Sequence, residues 1–183
     1  MLKQSKNQTH DVAAVNQLNP NGVYDDFSQI VAKAILDVNF FVNNQMLIDV
    51  GSTKGSQIGA AVVNRDGVVG QVYNVNANSS QVTLITNPEF KIYVEQSVTK
   101  SKMLAQGSGN GNIIVRYLDK NDKIQAGDIL ETTGLDDVYP ARIPVAKVVK
   151  VFYENNGFNS ALCVPVVDFH QLQYVLVLKY DSK

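Results

Sequence analysis

The sequence contains few of the residues from which catalytic and metal centres are usually built. Its 183 residues include one cysteine, Cys163, which excludes an intramolecular disulfide framework and a cysteine-based zinc cluster. The two histidines, His10 and His170, lie near opposite ends of the chain, so a multi-histidine metal site has almost no raw material. Tryptophan is absent. We therefore expect neither a metal nor a cofactor.

The sequence also lacks a strong charge bias and long apolar runs. Sixteen basic residues against 17 acidic ones leave a net charge of −1, whereas nucleic-acid-binding proteins usually carry a basic face. No apolar run reaches the roughly 18 residues that a membrane-spanning helix needs, and no signal peptide is present. As given, the sequence predicts a soluble protein that does not bind nucleic acid.

β-Branched residues dominate the apolar part of the sequence. The chain has 27 valines and 11 isoleucines against 13 leucines. Such side chains are stiff and pack well on a pleated surface, while helices favour leucine and alanine. The 18 asparagines cluster where turns are expected. This composition predicts an all-β protein with many short strands.

Turn signals divide the chain into about a dozen predicted strands, which favour two small barrels or sandwiches. We expect residues 1–24 to be a helical or disordered remnant, residues 25–95 a first domain that 170–180 could complete, and residues 96–169 a second domain. The predicted strands are Ile30–Leu36, Met46–Val50, Ala60–Asn64, Val68–Val75, Gln81–Thr86, Ile92–Glu95, Met103–Ala105, Ile113–Leu118, Ile129–Thr132, Val145–Glu154, Phe158–Val167 and Tyr174–Leu178.

A glycine-rich segment, Gly107-Ser108-Gly109, partly resembles two functional motifs. A dinucleotide-binding loop requires G-x-G-x-x-G, but Asn112 occupies the third glycine position and no helical pattern follows. A serine nucleophile elbow requires G-x-S-x-G between a strand and a helix, and this spacing also fails. The segment is better interpreted as a mobile loop between strands.

Paired β-barrels can host a Ser-His-Asp triad, so a hydrolase is one possible function of this fold. Asp168 could orient His170 only through a local contact, and His10 lies in a polar segment that nothing holds rigid. No activated nucleophile accompanies either histidine. We predict no catalytic residue and interpret His170 as a surface residue, with a trypsin-like hydrolase and an OB-type nucleic-acid-binding barrel as the alternatives.

Several aromatic residues are candidate anchors for a protein partner, since aromatic side chains dominate interface hot spots. The adjacent rings of Phe40 and Phe41 allow two interpretations: they are buried under a barrel rim, or they are exposed and anchor a partner. Tyr139 and Phe158 are further candidate anchors. Six glycines are expected to permit tight turns: Gly51, Gly55, Gly67, Gly70, Gly127 and Gly134.

The order and spacing of the turn-plus-strand motifs resemble the MreC family of bacterial rod-shape-determining proteins over roughly Ile30 to Leu178. Thr133 and Ala146 depart from the residues common in the family. The matching segments are Ile48-Asp49-Val50-Gly51-Ser52, Gly55, Gly59, Val62-Val63-Asn64, Gly67-Val68-Val69-Gly70-Gln71-Val72, Ser80-Gln81-Val82, Leu84, Thr86, Tyr117-Leu118, Gly127-Asp128, Thr132-Thr133-Gly134-Leu135, Tyr139-Pro140, Ile143-Pro144-Val145, Leu172, Val175 and Val177.

The resemblance implies two six-stranded β-barrels, distantly similar to those of trypsin-type proteases but without the triad. It implies a non-enzymatic scaffold of the cell-wall elongation machinery that binds a class B penicillin-binding transpeptidase, cooperates with MreD and MreB, self-associates as a dimer and maintains rod shape. Family members carry a membrane helix and a coiled coil before the barrels. We therefore expect this chain to be an extracytoplasmic, periplasmic fragment, beginning at an added methionine, of a protein anchored to the inner membrane through an N-terminal helix absent here.

Overall fold

The computed structural model describes residues 12–180, and antiparallel strands make up most of this part of the chain. The only helices of more than one turn here are α1 (residues 12–18) and α2 (Val38–Asn43), which confirms the predicted all-β class. The strands are β1 (Phe27–Ile35), β2 (Gln45–Ile48), β3 (Ala61–Val63), β4 (Val68–Val75), β5 (Ser80–Leu84), β6 (Lys91–Gln96), β7 (Lys102–Gly107), β8 (Ile113–Asp119), β9 (Ile129–Thr132), β10 (Pro144–Tyr153), β11 (Phe158–Pro165) and β12 (Tyr174–Tyr180).

The strands form two closed six-stranded barrels, as predicted. The first barrel has the order β1-β12-β3-β4-β5-β2, and the second has the order β10-β11-β8-β7-β6-β9. Closure removes the unpaired edges that an open sheet would present to other chains. In β6 and β7 alternate side chains point into the barrel, which is the period-2 pattern of a sheet with one buried face.

The last strand, β12, lies between β1 and β3 and closes the first barrel. Its two faces are both buried. Val175 and Val177 pack in the core of the first barrel, while Leu176 and Leu178 join a core cluster that continues into the second barrel. A strand that is buried on both faces carries apolar residues at consecutive positions, which explains the run of valine and leucine at residues 175–178 of β12.

The chain passes to the second barrel earlier than the predicted boundary at residue 95. Strand β6 pairs with β7 and β9, so residues 91–96 belong to the second barrel. The crossing follows β5, where Asn87 donates its backbone N–H to the Leu84 carbonyl in a turn. Of the predicted N-terminal remnant, residues 12–18 are helical and residues 1–11 lie outside the described part of the chain.

The six glycines predicted in turns serve two different purposes. Gly55, Gly127 and Gly134 have positive φ, which favours glycine. Gly51, Gly67 and Gly70 do not; each lies so close to another backbone segment that a Cβ atom would overlap it. Gly70 lies within β4 and not in a turn. Glycine is needed at this position because the backbone of β5 approaches it at Thr83.

The helix α2 was not predicted from the sequence. Asp37 is its N-cap, and the Asp37 carboxylate accepts a hydrogen bond from the Asn39 backbone N–H at 2.9 Å. Asn44 ends the helix in the left-handed conformation, with φ of 52°. A helix of six residues is too short for its periodicity to stand out, so these two caps were the available signals.

Candidate functional site

A cleft of about 560 Å³ opens between the two barrels. Four segments line it: α2 with its C-cap Asn44, the end of β5 at Leu84 and Thr86, the loop between β7 and β8 at Gly109–Gly111, and the connection from β11 to β12 at Pro165–His170. The cleft combines aromatic and aliphatic side chains with backbone polar groups, which is the usual lining of a binding site.

The helix α2 presents an apolar face beside this cleft. Val38, Phe41 and Val42 lie on one side of the helix, and the Phe41 side chain is 68% exposed. Phe40 points the other way and is buried. The Phe40 ring packs edge-on against the Phe41 ring, with 4.9 Å between the ring centroids, and its centroid lies 6.2 Å from that of the His170 ring. Both readings of the aromatic pair therefore apply, with Phe40 in the core and Phe41 at the surface.

Hydrogen bonds connect the glycine-rich loop to the C-terminal end of α2, and the mobility of the loop stays a prediction. Gly109 donates its backbone N–H to the Thr86 carbonyl at 2.9 Å. The Asn44 side-chain amide donates to the Gly109 carbonyl at 3.0 Å, and the Thr86 hydroxyl donates to the Asn44 side-chain oxygen at 2.8 Å. These bonds join the loop, the helix cap and the crossing between barrels into one wall of the cleft.

The titratable groups near the cleft are not arranged for catalysis. His170 is exposed, and Asp168 accepts a hydrogen bond from the His170 backbone N–H at 3.0 Å instead of orienting the imidazole. Burial raises the pKa of the Cys163 thiol to about 12, which keeps it protonated and unreactive. His10 lies outside the described residues. Within residues 12–180, no three His, Cys, Asp or Glu side chains converge to hold a metal ion.

Tyr139 was predicted as a surface anchor, and this prediction was wrong because its ring is buried in the core cluster that joins the barrels. The Tyr139 hydroxyl donates a hydrogen bond across the interface to the Gly70 carbonyl at 3.0 Å. Burial, and to a smaller extent the charge of Asp136, raises the pKa of Tyr139, so the phenol stays neutral. Tyr139 links the barrels instead of reaching a partner.

We expect the Tyr139→Phe substitution to lower the free energy of unfolding by about 1 kcal/mol, because it removes the inter-barrel hydrogen bond while keeping the ring. Urea unfolding followed by circular dichroism measures the change. The matched control is Tyr93→Phe, since Tyr93 is an exposed tyrosine of the second barrel and its change is expected to be near zero. Equal midpoints for the two variants would contradict the linking role.

The cleft thus brings together two of the four predicted anchors. Phe158 lies on the second barrel, half exposed, with its ring 6.0 Å from that of Tyr117, and does not line the cleft. Sequence reasoning missed Val38 and Val42. Their spacing from Phe41 would have identified an exposed face, had the helix been recognised.

Two closed six-stranded barrels that share a core cluster, with a cleft between them, define the chain as a double β-barrel protein. The family model described as "Rod shape-determining protein MreC, barrel core" matches residues 37–179. The chain therefore belongs to the MreC family, as its motifs predicted. Because this is a family of shape-determining structural proteins, membership also confirms the prediction of a protein that is not an enzyme.

Known relatives support this membership. The cell shape-determining protein MreC of Escherichia coli K12 is 29% identical over 180 residues, which cover 97% of this chain and 48% of the relative. A solved structure of MreC superposes with a TM-score of 0.83 at 28% identity, covering 94% of this chain and 99% of that chain. The present chain spans about half the length of the curated relatives it matches.

A more distant structural neighbour is described as a complex between the penicillin-binding protein PBP2 and MreC from Helicobacter pylori. The superposition has a TM-score of 0.63 at 11% identity and covers 83% of this chain and 99% of that chain, so the likeness concerns the fold.

In residues 12–180, no helix has the length and apolar character needed to cross a membrane.

Proposed function

We propose that this chain is the barrel region of a non-enzymatic scaffold for cell-wall elongation, and that it binds a class B penicillin-binding transpeptidase on the extracytoplasmic side of the inner membrane. Family membership supports the role in cell shape. The neighbouring complex of PBP2 with MreC from Helicobacter pylori supports the class of partner. MreD, MreB and a second copy of the chain are further proposed partners, and no surface of the barrels is assigned to them.

The exposed apolar face of α2 is the observation that carries this proposal. Val38, Phe41 and Val42 are each about two-thirds exposed, although fully exposed large apolar side chains seldom cluster without a purpose. The caps at Asp37 and Asn44 hold the helix in place, so its side chains are pre-positioned for a partner. The adjoining cleft offers room for an apolar side chain of the transpeptidase.

Such a scaffold acts on its partner through differential affinity. If the transpeptidase exists in inactive and active conformations, the barrels shift the population only as far as they bind the active one more tightly. A rigid inter-barrel joint suits this role, because a rigid surface loses little conformational freedom when it binds. The bond from Tyr139 to Gly70 is part of that joint.

We expect Phe41→Asp to weaken binding of the cognate transpeptidase about thirtyfold or more, which is the effect of removing a hot-spot aromatic residue. Biolayer interferometry with the immobilised chain and the soluble part of the transpeptidase measures the affinity. Circular dichroism and the melting temperature are expected to stay unchanged, because the Phe41 side chain is exposed.

The matched control is Ile58→Asp, since Ile58 is 69% exposed and lies outside the cleft lining. This variant is expected to bind as the unsubstituted chain does. If the unsubstituted chain fails to bind, the proposed function is refuted. If both variants weaken binding equally, the partner does not use the helix face.

A further inference from the structure

The wall of the cleft contains an asparagine whose side-chain amide is open to chemical change. Asn110 lines the cleft from the loop between β7 and β8, is exposed to solvent and is followed by Gly111. When glycine follows asparagine, the glycine backbone nitrogen can reach the side-chain carbonyl carbon, because no Cβ atom stands in the way. The sequence has two other such pairs, Asn21-Gly22 and Asn156-Gly157, so the dipeptide alone does not rank the three positions.

The reaction open to such a pair is hydrolysis of the side-chain amide through a cyclic imide. The glycine backbone nitrogen loses its proton to hydroxide and forms a bond to the side-chain carbonyl carbon, while the bond from that carbon to the amide nitrogen breaks. The amide nitrogen takes up a proton from water and leaves as ammonia. Water then opens the imide at either carbonyl carbon and gives aspartate or isoaspartate. In sum, one amide and one water become one carboxylate and one ammonium ion.

At Asn110 the fold leaves both the nucleophile and the leaving group free. In the part of the chain that the structure describes, neither the Gly111 backbone N–H nor the Asn110 side-chain nitrogen has a hydrogen-bond partner. A Cβ atom built at Gly111 would have no heavy atom within 4 Å, so water and hydroxide have access to this position.

Ser108 determines which way the Asn110 amide points. The Ser108 hydroxyl oxygen accepts hydrogen bonds from the backbone N–H groups of Asn110 at 3.4 Å and Asn112 at 3.3 Å, so its proton is directed to an acceptor. That proton is shared between the Asn110 side-chain oxygen and the Asn112 carbonyl, which is 2.9 Å away. The oxygen of the Asn110 amide therefore faces Ser108, and the amide nitrogen lies on the other side. A donor at this oxygen also stabilises the negative charge that develops there during the attack.

The other two Asn-Gly pairs lack this freedom. The Asn156 side-chain oxygen accepts from the backbone N–H two residues later at 3.1 Å, and its side-chain nitrogen donates to the Glu154 carboxylate at 3.1 Å. The Asn156 amide is thus held at both ends and cannot turn toward the next backbone nitrogen until one bond breaks. At Asn21 the nucleophile is held instead, because the Gly22 backbone N–H donates to the Asn19 carbonyl at 3.2 Å.

We propose that Asn110 is a site of spontaneous deamidation, at which water converts the side-chain amide into a carboxylate within the cleft. Among the described residues that line the cleft, none is a lysine or arginine that could neutralise this charge, and Asp168 already contributes an acidic group. Conversion to isoaspartate also adds a methylene group to the backbone of the loop beside Gly109, whose bonds to Thr86 and Asn44 form one wall of the cleft. The reaction therefore changes both the charge and the shape of the cleft.

Peptide mass spectrometry of the folded chain, sampled during incubation at mildly alkaline pH, tests the proposal. Cleavage after lysine and arginine places the three asparagines in separate peptides, so each rate constant is measured in the same sample. We expect the rate constant at Asn110 to exceed that at Asn21 about fivefold and that at Asn156 about tenfold. These factors are roughly the rate equivalents of breaking one neutral hydrogen bond and one hydrogen bond to a charged group.

Two controls separate the effect of the fold from that of the sequence. In guanidinium chloride the chain is unfolded, and the three rate constants are expected to converge. In the folded chain, Glu154→Ala frees the side-chain nitrogen of Asn156, so the rate constant at Asn156 is expected to rise about tenfold while that at Asn110 stays unchanged. Glu154 is exposed, and circular dichroism establishes that this variant is folded.

Each outcome of the rate measurements decides the matter. If Asn110 reacts no faster than Asn21 and Asn156 in the folded chain, the proposal is overturned. If the same ranking persists in guanidinium chloride, flanking residues and not the fold set the rates, and the structural argument is refuted.

The effect of the modification on a partner rests on the proposed function. Asn110→Asp places the same charge in the cleft and is expected to weaken binding of the cognate transpeptidase about tenfold, because a charge without a counterion is costly to cover. The matched control is Asn156→Asp, which lies outside the cleft lining and is expected to bind normally. Equal affinities for the two variants would refute the effect on the cleft. If the unsubstituted chain fails to bind, the proposed function is refuted, and the measured ranking of the three asparagines still decides the deamidation site.

Discussion

A chain shortened to residues 1–173 is expected to lose the folded first barrel, because the deletion removes β12. This strand pairs with β1 from Tyr180 to Tyr174 and with β3 at Leu176–Leu178. Its four central side chains, residues 175–178, are buried on both faces. Burying each contributes about 1.5–3 kcal/mol, and the total is comparable to the roughly 5–15 kcal/mol by which whole domains are stable.

The loss is expected to extend to the second barrel, since Leu176 and Leu178 pack in the cluster that the barrels share. Far-UV circular dichroism, urea unfolding and the dispersion of amide signals in NMR spectra measure the result. A chain ending at Tyr180 is the matched control, because it keeps β12 intact and is expected to unfold at the normal urea concentration. A cooperative transition for chain 1–173 at that same concentration would show that β12 is dispensable.

The Gly67→Ala substitution is expected to lower the free energy of unfolding by about 3 kcal/mol, through overpacking between the barrels. A Cβ atom at Gly67 would overlap the carbonyl oxygen of Pro144 in β10 and lie 2.8 Å from a methyl group of Val166. The Pro144 oxygen belongs to the backbone of the other barrel. The overlap can therefore be relieved only by moving one barrel relative to the other.

The comparison variant for Gly67 is Gly111→Ala. Gly111 has φ of 90°, and a Cβ atom added there would have no heavy atom within 4 Å, so alanine meets backbone strain of about 1 kcal/mol without overlap. Urea unfolding of both variants separates the two effects. If Gly67→Ala costs no more than Gly111→Ala, the barrels can slide past each other without loss, and the packed joint is not rigid.

Local sequence patterns were sufficient for the strands but not for the sites. The alternation in β6 and β7 places apolar side chains on one face of each strand. The predicted and observed patterns agree because the alternation depends only on neighbouring residues in the sequence. The environment of an aromatic ring depends on distant residues. Tyr139 bonds to Gly70, which lies 69 positions earlier, and nothing near Tyr139 in the sequence announces that contact.

The candidate site was only partly predictable for the same reason. Phe40 and Phe41 are adjacent and chemically identical, yet the short helix α2 turns one ring into the core and the other toward solvent. The contact between Tyr117 and Phe158 joins two strands that are distant in the sequence. Only the register between β8 and β11 brings Tyr117 beside Phe158.

The amino-acid sequence alone determined the all-β class, the strand positions, the absence of material for a catalytic or metal centre, and the family to which the chain belongs. These properties follow from residue type and short-range spacing, which act over a few residues. The tertiary structure decided which strands close each barrel, which rings are buried, and where the cleft lies. Those outcomes depend on pairing between distant segments, as in the closure of β1 and β3 by β12, because burial and register are set by the partner strand and not by the strand itself.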